Sequence, residues 1–387
     1  MDLLILEFLL TLFVILYMSQ IVFLLFGTRK EKNNRNESYK PFVSVIIAAK
    51  NEAENLPACL SSLANQTYNT EKYEIILVDD LSSDHTLEIA KLFQKKVHNL
   101  KCYQASENPK RLTSKANAIA LAIRKSKGAV LLFTDADCQV PRDWISEYVK
   151  YFKKNVGLVS GLTCMEISSK ICDIWDKIQC LDWIYLLSIG VSAARNGIAL
   201  SCVGNNFGVR RDVYEEIGGH QEIGFSLTED SALLNTIQKK TKWKLLFTFN
   251  KKLIVLSRPL KNLVELFHQR KRWASGSTNV RNYGKFLIII GGMSHILIPF
   301  SIIFIDKNIV FWALLSLILF FDFIFLLRVT HLIDNKRLLL YFLFFEIYYF
   351  MYTSILAFAL IINRKIVWKG VVYNLDKKDN VCIETKQ

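Results

Sequence analysis

Four long apolar stretches, almost free of charge, occupy the two ends of this sequence. Leu3–Phe26 carries Glu7 alone, Phe286–Ile305 carries no Asp, Glu, Lys or Arg, Ile309–Leu327 carries only Asp322, and Leu338–Ile362 only Glu346. At about 1.5 Å of rise per residue, each is long enough as a helix to cross a hydrocarbon core about 30 Å thick. Aromatic residues crowd the last two, as expected of lipid-facing and interfacial helices. The chain reads as a membrane protein.

The whole sequence has 387 residues, 51% of them hydrophobic, which excludes a disordered or collagen-like chain. Its eight cysteines lie far apart with no CxxC pair, which argues against a zinc ribbon or a disulfide-stapled secreted module. The first apolar run is preceded by Asp2 and by no Lys or Arg, and no A-x-A pattern follows it. Residues 1–28 are therefore expected to be an uncleaved anchor rather than a signal peptide. The linker 29–40 follows with Arg29, Lys30, Lys32 and Arg35, which by the positive-inside rule places the next domain on the cytoplasmic face of the cell membrane. A net charge of +14 would suit a nucleic-acid binder, but the basic residues cluster near the apolar runs. Attraction to anionic membrane lipids explains them better, and no nucleic-acid partner is expected.

From Pro41 to Gly276 the pattern changes. Short apolar runs at Val43–Ala48, Glu74–Val78, Leu100–Gln104 and Ala129–Thr134 alternate with helical patterns at Glu52–Asn65, Asp84–Lys96 and Ser114–Lys127. Continuous apolar runs separated by helices predict an α/β domain with a mostly parallel sheet covered on both faces. Ligands in such sheets bind beyond the carboxyl ends of the strands. Those ends carry Lys50-Asn51-Glu52, Asp79-Asp80 and Asp135-Ala136-Asp137. A carboxylate pair spaced i, i+2 suits a hard divalent cation such as Mg²⁺ or Mn²⁺, which would hold a diphosphate. The bland alternative is a polar loop leading into the next helix. In Val78–Thr86, Ser83 or Asp84 reads as a helix cap, and one Asp of the 79–80 pair is expected to face the cleft.

Ser44–Glu52, Val78-Asp-Asp-x-Ser-x-Asp84, Ser114-Lys-Ala-Asn117 and Asp135-x-Asp137 together resemble the nucleotide-sugar half of the inverting family-2 glycosyltransferases. The resemblance implies a GT-A fold over residues 41–259. It implies that Ala48, Glu52 and Asp80 line a uridine pocket and that Lys115 lies near the nucleotide or diphosphate. It further implies that Asp137 ligates the metal, with Asp135 contacting the nucleotide-sugar or supporting the metal. Ala48 stands where the family often has Pro.

The second half is similar to the family as well. Gly204-Asn205-Asn206-Phe-Gly resembles its acceptor-side segment, and Thr228-Glu229-Asp230 its T/S-E-D motif, which implies Asp230 as the base and Glu229 as an acceptor-positioning group. Read without that likeness, Thr228-Glu-Asp is simply a good helix start. Gln269-x-x-Arg272-Trp273 sits in an amphipathic stretch assigned to residues 260–276, with the three side chains on one helical face. Arg272 suits a diphosphate, and Trp273 a sugar ring on the acceptor side; a basic interfacial helix is the alternative. Arg270 and Lys271 are expected to face lipid.

Among the leftovers, Cys164, Cys172 and Cys180 read as core thiols, and His220 as a loop residue without a partner. His268 could lie near the diphosphate. Asp322 and Glu346 are intramembrane acids, which by default suggest function. Antiparallel packing would bring them to similar depth, where they could share a proton or pair with His295. Residues 286–362 hold two or three spans, because 286–305, with Gly291, Gly292 and Pro299, is the weakest. If it is re-entrant, the basic tail 363–387 returns to the cytoplasm. The reading is a membrane-bound transferase moving a sugar from a UDP-sugar to a lipid or glycan hydroxyl. A processive polysaccharide synthase and a catalytically silent nucleotide-binding module are the alternatives, and the oligomeric state is not legible.

Overall fold

The computed structural model describes residues 3–31, 35–106, 114–166, 174–224, 226–276, 282–301, 309–362, 365–368, 371–375 and 381–383. They form two compact units that interleave along the chain. One comprises Lys30–Glu166 and Ser201–Arg258; the other comprises Met1–Arg29, Ile167–Leu200 and Pro259–Gln387.

After helix α1 (Leu3–Gly27), the chain enters the α/β unit. It runs β1 (Val43–Ala49), α2 (Leu56–Ala64), β2 (Tyr73–Asp79), α3 (Thr86–Gln94), β3 (Leu100–Gln104), α4 (Ser114–Lys125) and β4 (Val130–Phe133). Then come β5 (Cys138–Gln139), α5 (Trp144–Tyr151), β6 (Val156–Ser160) and β7 (Thr163–Met165). Helix α6 (Ile174–Arg195) belongs to the other unit. The chain then returns with β8 (Phe207–Arg210), α7 (Arg211–Glu216), α8 (Gly219–Ile223), α9 (Glu229–Lys240), β9 (Lys244–Phe247) and β10 (Val255–Ser257). The predicted elements of the first half are all present, but the continuous 41–259 domain of the sequence reading is interrupted by α6.

Seven strands form one sheet in the order β3-β2-β1-β4-β8-β6-β9. β1 pairs in parallel with β2 and β4, and β2 with β3, while β8 runs antiparallel between β4 and β6. The Val/Ile/Leu runs of β1 and β2 are buried on both faces, the condition that removes alternation from a parallel strand. Val45, Ile47, Leu60, Trp144 and Tyr148 are among the residues filling the core. Register places Ala49 beside Asp79 and Ile46 beside Phe133, so the three acidic strand ends emerge at one sheet edge. Helix α2 starts later than expected. Pro57 occupies its first turn, where a missing N–H is harmless, and Asn51 takes a left-handed turn at φ 54°.

The second unit gathers α1 and α6 with α10 (Leu263–Gly276), α11 (Asn282–Ser301), α12 (Ile309–Leu332) and α13 (Phe342–Ile362). Leu4–Gly27, Ile309–Leu332 and Lys336–Ala359 are long and apolar enough to cross a membrane, whereas Tyr283–Leu297 is shorter. Residues 302–305 of the expected 286–305 segment lie outside the described residues, as does Cys172. Helix α1 meets α6 backbone to backbone: a Cβ on Gly27 would lie 2.2 Å from the Ser192 carbonyl oxygen. Within 363–387, read as a basic tail, β11 (Lys365–Trp368), β12 (Val371–Leu375) and β13 (Val381–Ile383) form an antiparallel sheet.

Helix α10 corrects one expectation. Arg270 and Lys271 do not face lipid; both are buried. Arg270 forms an ion pair with Asp182 of α6, and its guanidinium stands 4.4 Å from the Trp273 ring centroid and 5.2 Å from that of Trp183. A buried guanidinium needs such a partner, and here it comes from 88 residues away. Trp273 itself packs edge-on against Trp183, with centroids 5.0 Å apart.

Candidate active site

At the sheet edge, the turn after β1 is fastened to the turn after β2. The Asn51 N–H donates to Ser82 Oγ at 2.9 Å, the Glu52 N–H to Thr86 Oγ1 at 2.8 Å, and the Ala53 N–H to Asp84 Oδ2 at 3.0 Å. In return Asn51 Oδ1 accepts from the Ser83 N–H at 2.8 Å. Asp84 therefore has the structural duty expected of it, as a bridge that also accepts the Thr86 N–H rather than as the cap itself, a position held by His85. Burial works against the Asp84 carboxylate, but the donors from Thr86 and Ala53 prevail and hold its pKa below the ordinary value.

The Asp79-Asp80 pair divides its labour. Asp79 is fully buried and its Oδ2 accepts from the Ser82 N–H and Gln104 Nε2, each at 3.3 Å. Asp80 sits 3.5 Å from Lys50 Nζ. Glu52 accepts from Asn55 Nδ2 at 2.7 Å, which fixes its carboxylate across the turn. Ala48 is one residue from the end of β1, paired with Val78.

Lys115, on the first turn of α4, joins the two halves of the site. Its Nζ lies 2.9 Å from Asp135 Oδ1 and 2.8 Å from Glu229 Oε1. Burial opposes the ammonium charge, yet the Asp135 and Glu229 carboxylates outweigh it and hold the Lys115 pKa well above the usual lysine range. The acidic end of β4 and the start of α9 thus meet at one cation, although 94 residues separate Asp135 from Glu229 in sequence.

The turn carrying Asp135 and Asp137 is closed by the Cys138 N–H on the Asp135 carbonyl at 3.1 Å and continued by β5, which pairs with β10. Asp137 Oδ1 accepts from the Cys138 thiol at 3.4 Å. Burial raises the pKa values of the Cys59 and Cys138 thiols, and the Asp137 and Asp135 carboxylates raise them further, so both stay neutral. Asp135 is paired with Lys115, and the Asp137 carboxylate two residues on supplies oxygen ligands of the kind a hard divalent cation takes.

Asp230 is the second residue of α9, where the helix dipole favours a carboxylate. Its Oδ1 accepts from the Ser231 N–H at 2.7 Å, and the Cys202 thiol donates to its carbonyl at 3.3 Å. Its other oxygen lies against Gly204: a Cβ there would fall 2.5 Å from Asp230 Oδ2. Only glycine admits that approach. The sequence reading quoted Gly204 within its motif without seeing this role.

The neighbouring asparagines are more occupied than expected. Asn206 is fully buried; its Oδ1 accepts from Trp144 Nε1 at 3.0 Å and Tyr148 OH at 2.7 Å, and its Nδ2 donates to the Leu162 and Leu253 carbonyls. Asn205 Oδ1 accepts from Thr163 Oγ1 at 2.7 Å and its Nδ2 donates to Cys138 Sγ. Both amides are thus engaged inside the α/β unit, Asn205 with Thr163 and the Cys138 thiol and Asn206 with Trp144, Tyr148 and two backbone carbonyls. His220 is likewise not a loop residue without a partner. It is buried on α8, its Nδ1 takes a hydrogen bond from Tyr214 OH at 2.8 Å, and burial pushes its pKa down to about 4 despite Glu229. Gln269, Arg272 and Trp273 lie on α10, in the helical unit.

Residues 44–218 match the family described as Glycosyl transferase family 2. Among curated relatives, glycosyltransferase AglE of Haloferax volcanii is 32% identical over 46% of this chain and 55% of its own. A beta-monoglucosyldiacylglycerol synthase of Trichormus variabilis is 28% identical over 61% of this chain and 49% of its own. The chain thus spans about half the length of these relatives. The solved mannosyltransferase PcManGT of Pyrobaculum calidifontis, in complex with GDP-Man and Mn²⁺, covers 89% of this chain and 98% of its own, at 17% identity and a TM-score of 0.56. That likeness shows the fold, a mixed α/β GT-A-like arrangement with a mostly parallel central sheet.

Proposed function

We propose, from the premise that the chain carries a glycosyl transferase family 2 domain, that it is a membrane-bound inverting transferase. It moves a hexosyl or N-acetylhexosaminyl group from a UDP-sugar to the hydroxyl of a lipid or glycan at the cytoplasmic face of the cell membrane. The observation that carries this reading is Lys115, which ties the acidic end of β4 to the helix start bearing Asp230. The relative named as a beta-monoglucosyldiacylglycerol synthase supports a lipid hydroxyl, and the one named as a poly-beta-1,6-N-acetyl-D-glucosamine synthase a glycan hydroxyl.

Ala48, Glu52 and Asp80 receive the uridine at the fastened ends of β1 and β2. Lys115 sets Asp135 and Glu229 in place, with Glu229 orienting the acceptor. Asp137 would hold Mg²⁺ or Mn²⁺, which when bound neutralises diphosphate charge. The Asp230 carboxylate takes the proton from the acceptor hydroxyl as its oxygen bonds to the anomeric carbon and the bond to the UDP oxygen breaks on the opposite face, inverting the configuration.

The test is purification in detergent, incubation with UDP-sugars, Mn²⁺ and membrane lipids, and measurement of UDP release and product anomeric configuration. Asp230→Asn is expected to cut turnover to a small residual rate while UDP affinity is kept. A fully active Asp230→Asn, or a product of retained configuration, refutes the mechanism.

A further inference from the structure

Within the helical unit, three ionisable side chains from three helices meet in a fully buried cluster: His295 of α11, Asp322 of α12 and Glu346 of α13. One ligand atom from each lies within 4.8 Å of the others. The orientation of each group is specified. His295 Nδ1 lies 2.8 Å from the Gly291 carbonyl, which can only accept, so Nδ1 carries a hydrogen and Nε2 is turned inward. Nε2 faces Asp322 Oδ2 at 3.1 Å. At that distance either a proton or a metal ion joins the two.

Asp322 is oriented from its other side. Tyr17 of α1 and Tyr185 of α6 both donate to Oδ1, the second at 2.7 Å. Glu346 is 2% exposed, yet among the described residues neither carboxylate oxygen has a hydrogen-bond partner. An unpartnered buried carboxylate is among the costliest groups a protein can hold, and this one sits beside two further ligand atoms.

We propose that His295 Nε2, Asp322 Oδ2 and the Glu346 carboxylate hold one divalent transition-metal ion of the Zn²⁺ class, fastening α11, α12 and α13 together. Nitrogen and oxygen ligands of this kind suit Zn²⁺, and tetrahedral bonds near 2.0–2.1 Å require ligand atoms about 3.3 Å apart. The His295–Asp322 spacing already meets that requirement. Glu346, which no hydrogen bond restrains, closes the remaining gap. A backbone carbonyl on the far nitrogen of the histidine and hydroxyls on the ligating carboxylate are the supports that metal-binding side chains ordinarily carry. Charge agrees: two carboxylates and a neutral imidazole around a divalent ion sum to zero, the cheapest state for an apolar bundle.

The experiment uses the full chain in detergent, stripped with a chelator and titrated with Zn²⁺, with the metal counted by mass spectrometry and the thermal midpoint followed. Zn²⁺ uptake and a raised midpoint are expected in wild type and in Asp137→Asn, which removes the proposed ligand of the other unit. Both are expected to be lost in Glu346→Gln and His295→Asn. In the Asp137→Asn background, Co²⁺ should give the intense visible bands of a four-coordinate site, a readout that does not require the cluster variants to fold. Failure of Asp137→Asn to take up Zn²⁺, weak six-coordinate Co²⁺ bands, or retention of the metal by Glu346→Gln overturns the proposal; the first outcome assigns the cluster to shared protons.

Discussion

Replacing Gly204 by alanine should disable the proposed base without unfolding the domain. The added Cβ would lie 2.5 Å from Asp230 Oδ2 and 3.1 Å from its Cγ, whereas contacts below 3.0 Å are essentially never seen and ordinary ones begin at 3.4 Å. The carboxylate must therefore retreat by about 0.5–0.9 Å, the difference between those limits and 2.5 Å. A misplacement of about 1 Å in a reacting group lowers turnover by about 10²-fold, or about 2.7 kcal/mol of barrier. Stability should fall little, because the atoms that yield are the end of a side chain rather than backbone. The assay is UDP release at saturating donor and acceptor, with the thermal midpoint measured alongside. If the effect passes through Asp230, Gly204→Ala adds nothing in an Asp230→Asn background, since two lesions in one machinery are not additive. Wild-type turnover in Gly204→Ala, or equal multiplicative losses in the two backgrounds, refutes the reasoning.

Lys115→Met should leave Asp135 and Glu229 without their shared cation, lowering stability by about 1–3 kcal/mol for this partly exposed triad and weakening UDP binding. Calorimetric titration with UDP and a thermal melt check both, and a variant unchanged in either contradicts the bridging role. His220 has a folded pKa of about 4 against an ordinary 6.5, so between those values the unfolded chain binds the extra proton. Stability is therefore full above pH 6.5 and falls by about 3 kcal/mol toward pH 4. Between pH 6.5 and 5 the depressed carboxylates Glu74, Asp84 and Glu147 contribute little to that slope. A shallower acid slope of the melting temperature in His220→Gln is the expected result, and an unchanged slope counts against it.

Features written in local pattern were legible from sequence. The apolar runs of β1, β2 and β4, their acidic ends and the long uncharged helices each follow from neighbouring residues, and register then brings the strand ends together. Features depending on distant partners were not. Arg270 looked lipid-facing because its helix is basic and amphipathic; its burial follows from Asp182 on another helix. Asn205 and Asn206 looked available because nothing nearby in sequence uses them, while their partners Thr163, Trp144 and Tyr148 come from strands and helices before α6. Helix α6 mixes Asp176, Lys177, Gln179 and Asp182 with apolar residues, so hydropathy alone did not assign it to the helical unit.

The departure of α6 from the α/β unit also sets an order of events. β8 occupies the middle of the sheet, between β4 and β6, yet it is synthesised only after α6. The nascent sheet must therefore wait, with the flanks of β4 and β6 unpaired, while a helix that packs against α1 is synthesised. No single uninterrupted segment contains the whole sheet without α6. Expression of the α/β unit without the helical unit therefore requires excising residues 167–200 and rejoining Glu166 to Ser201, rather than trimming the chain at its ends.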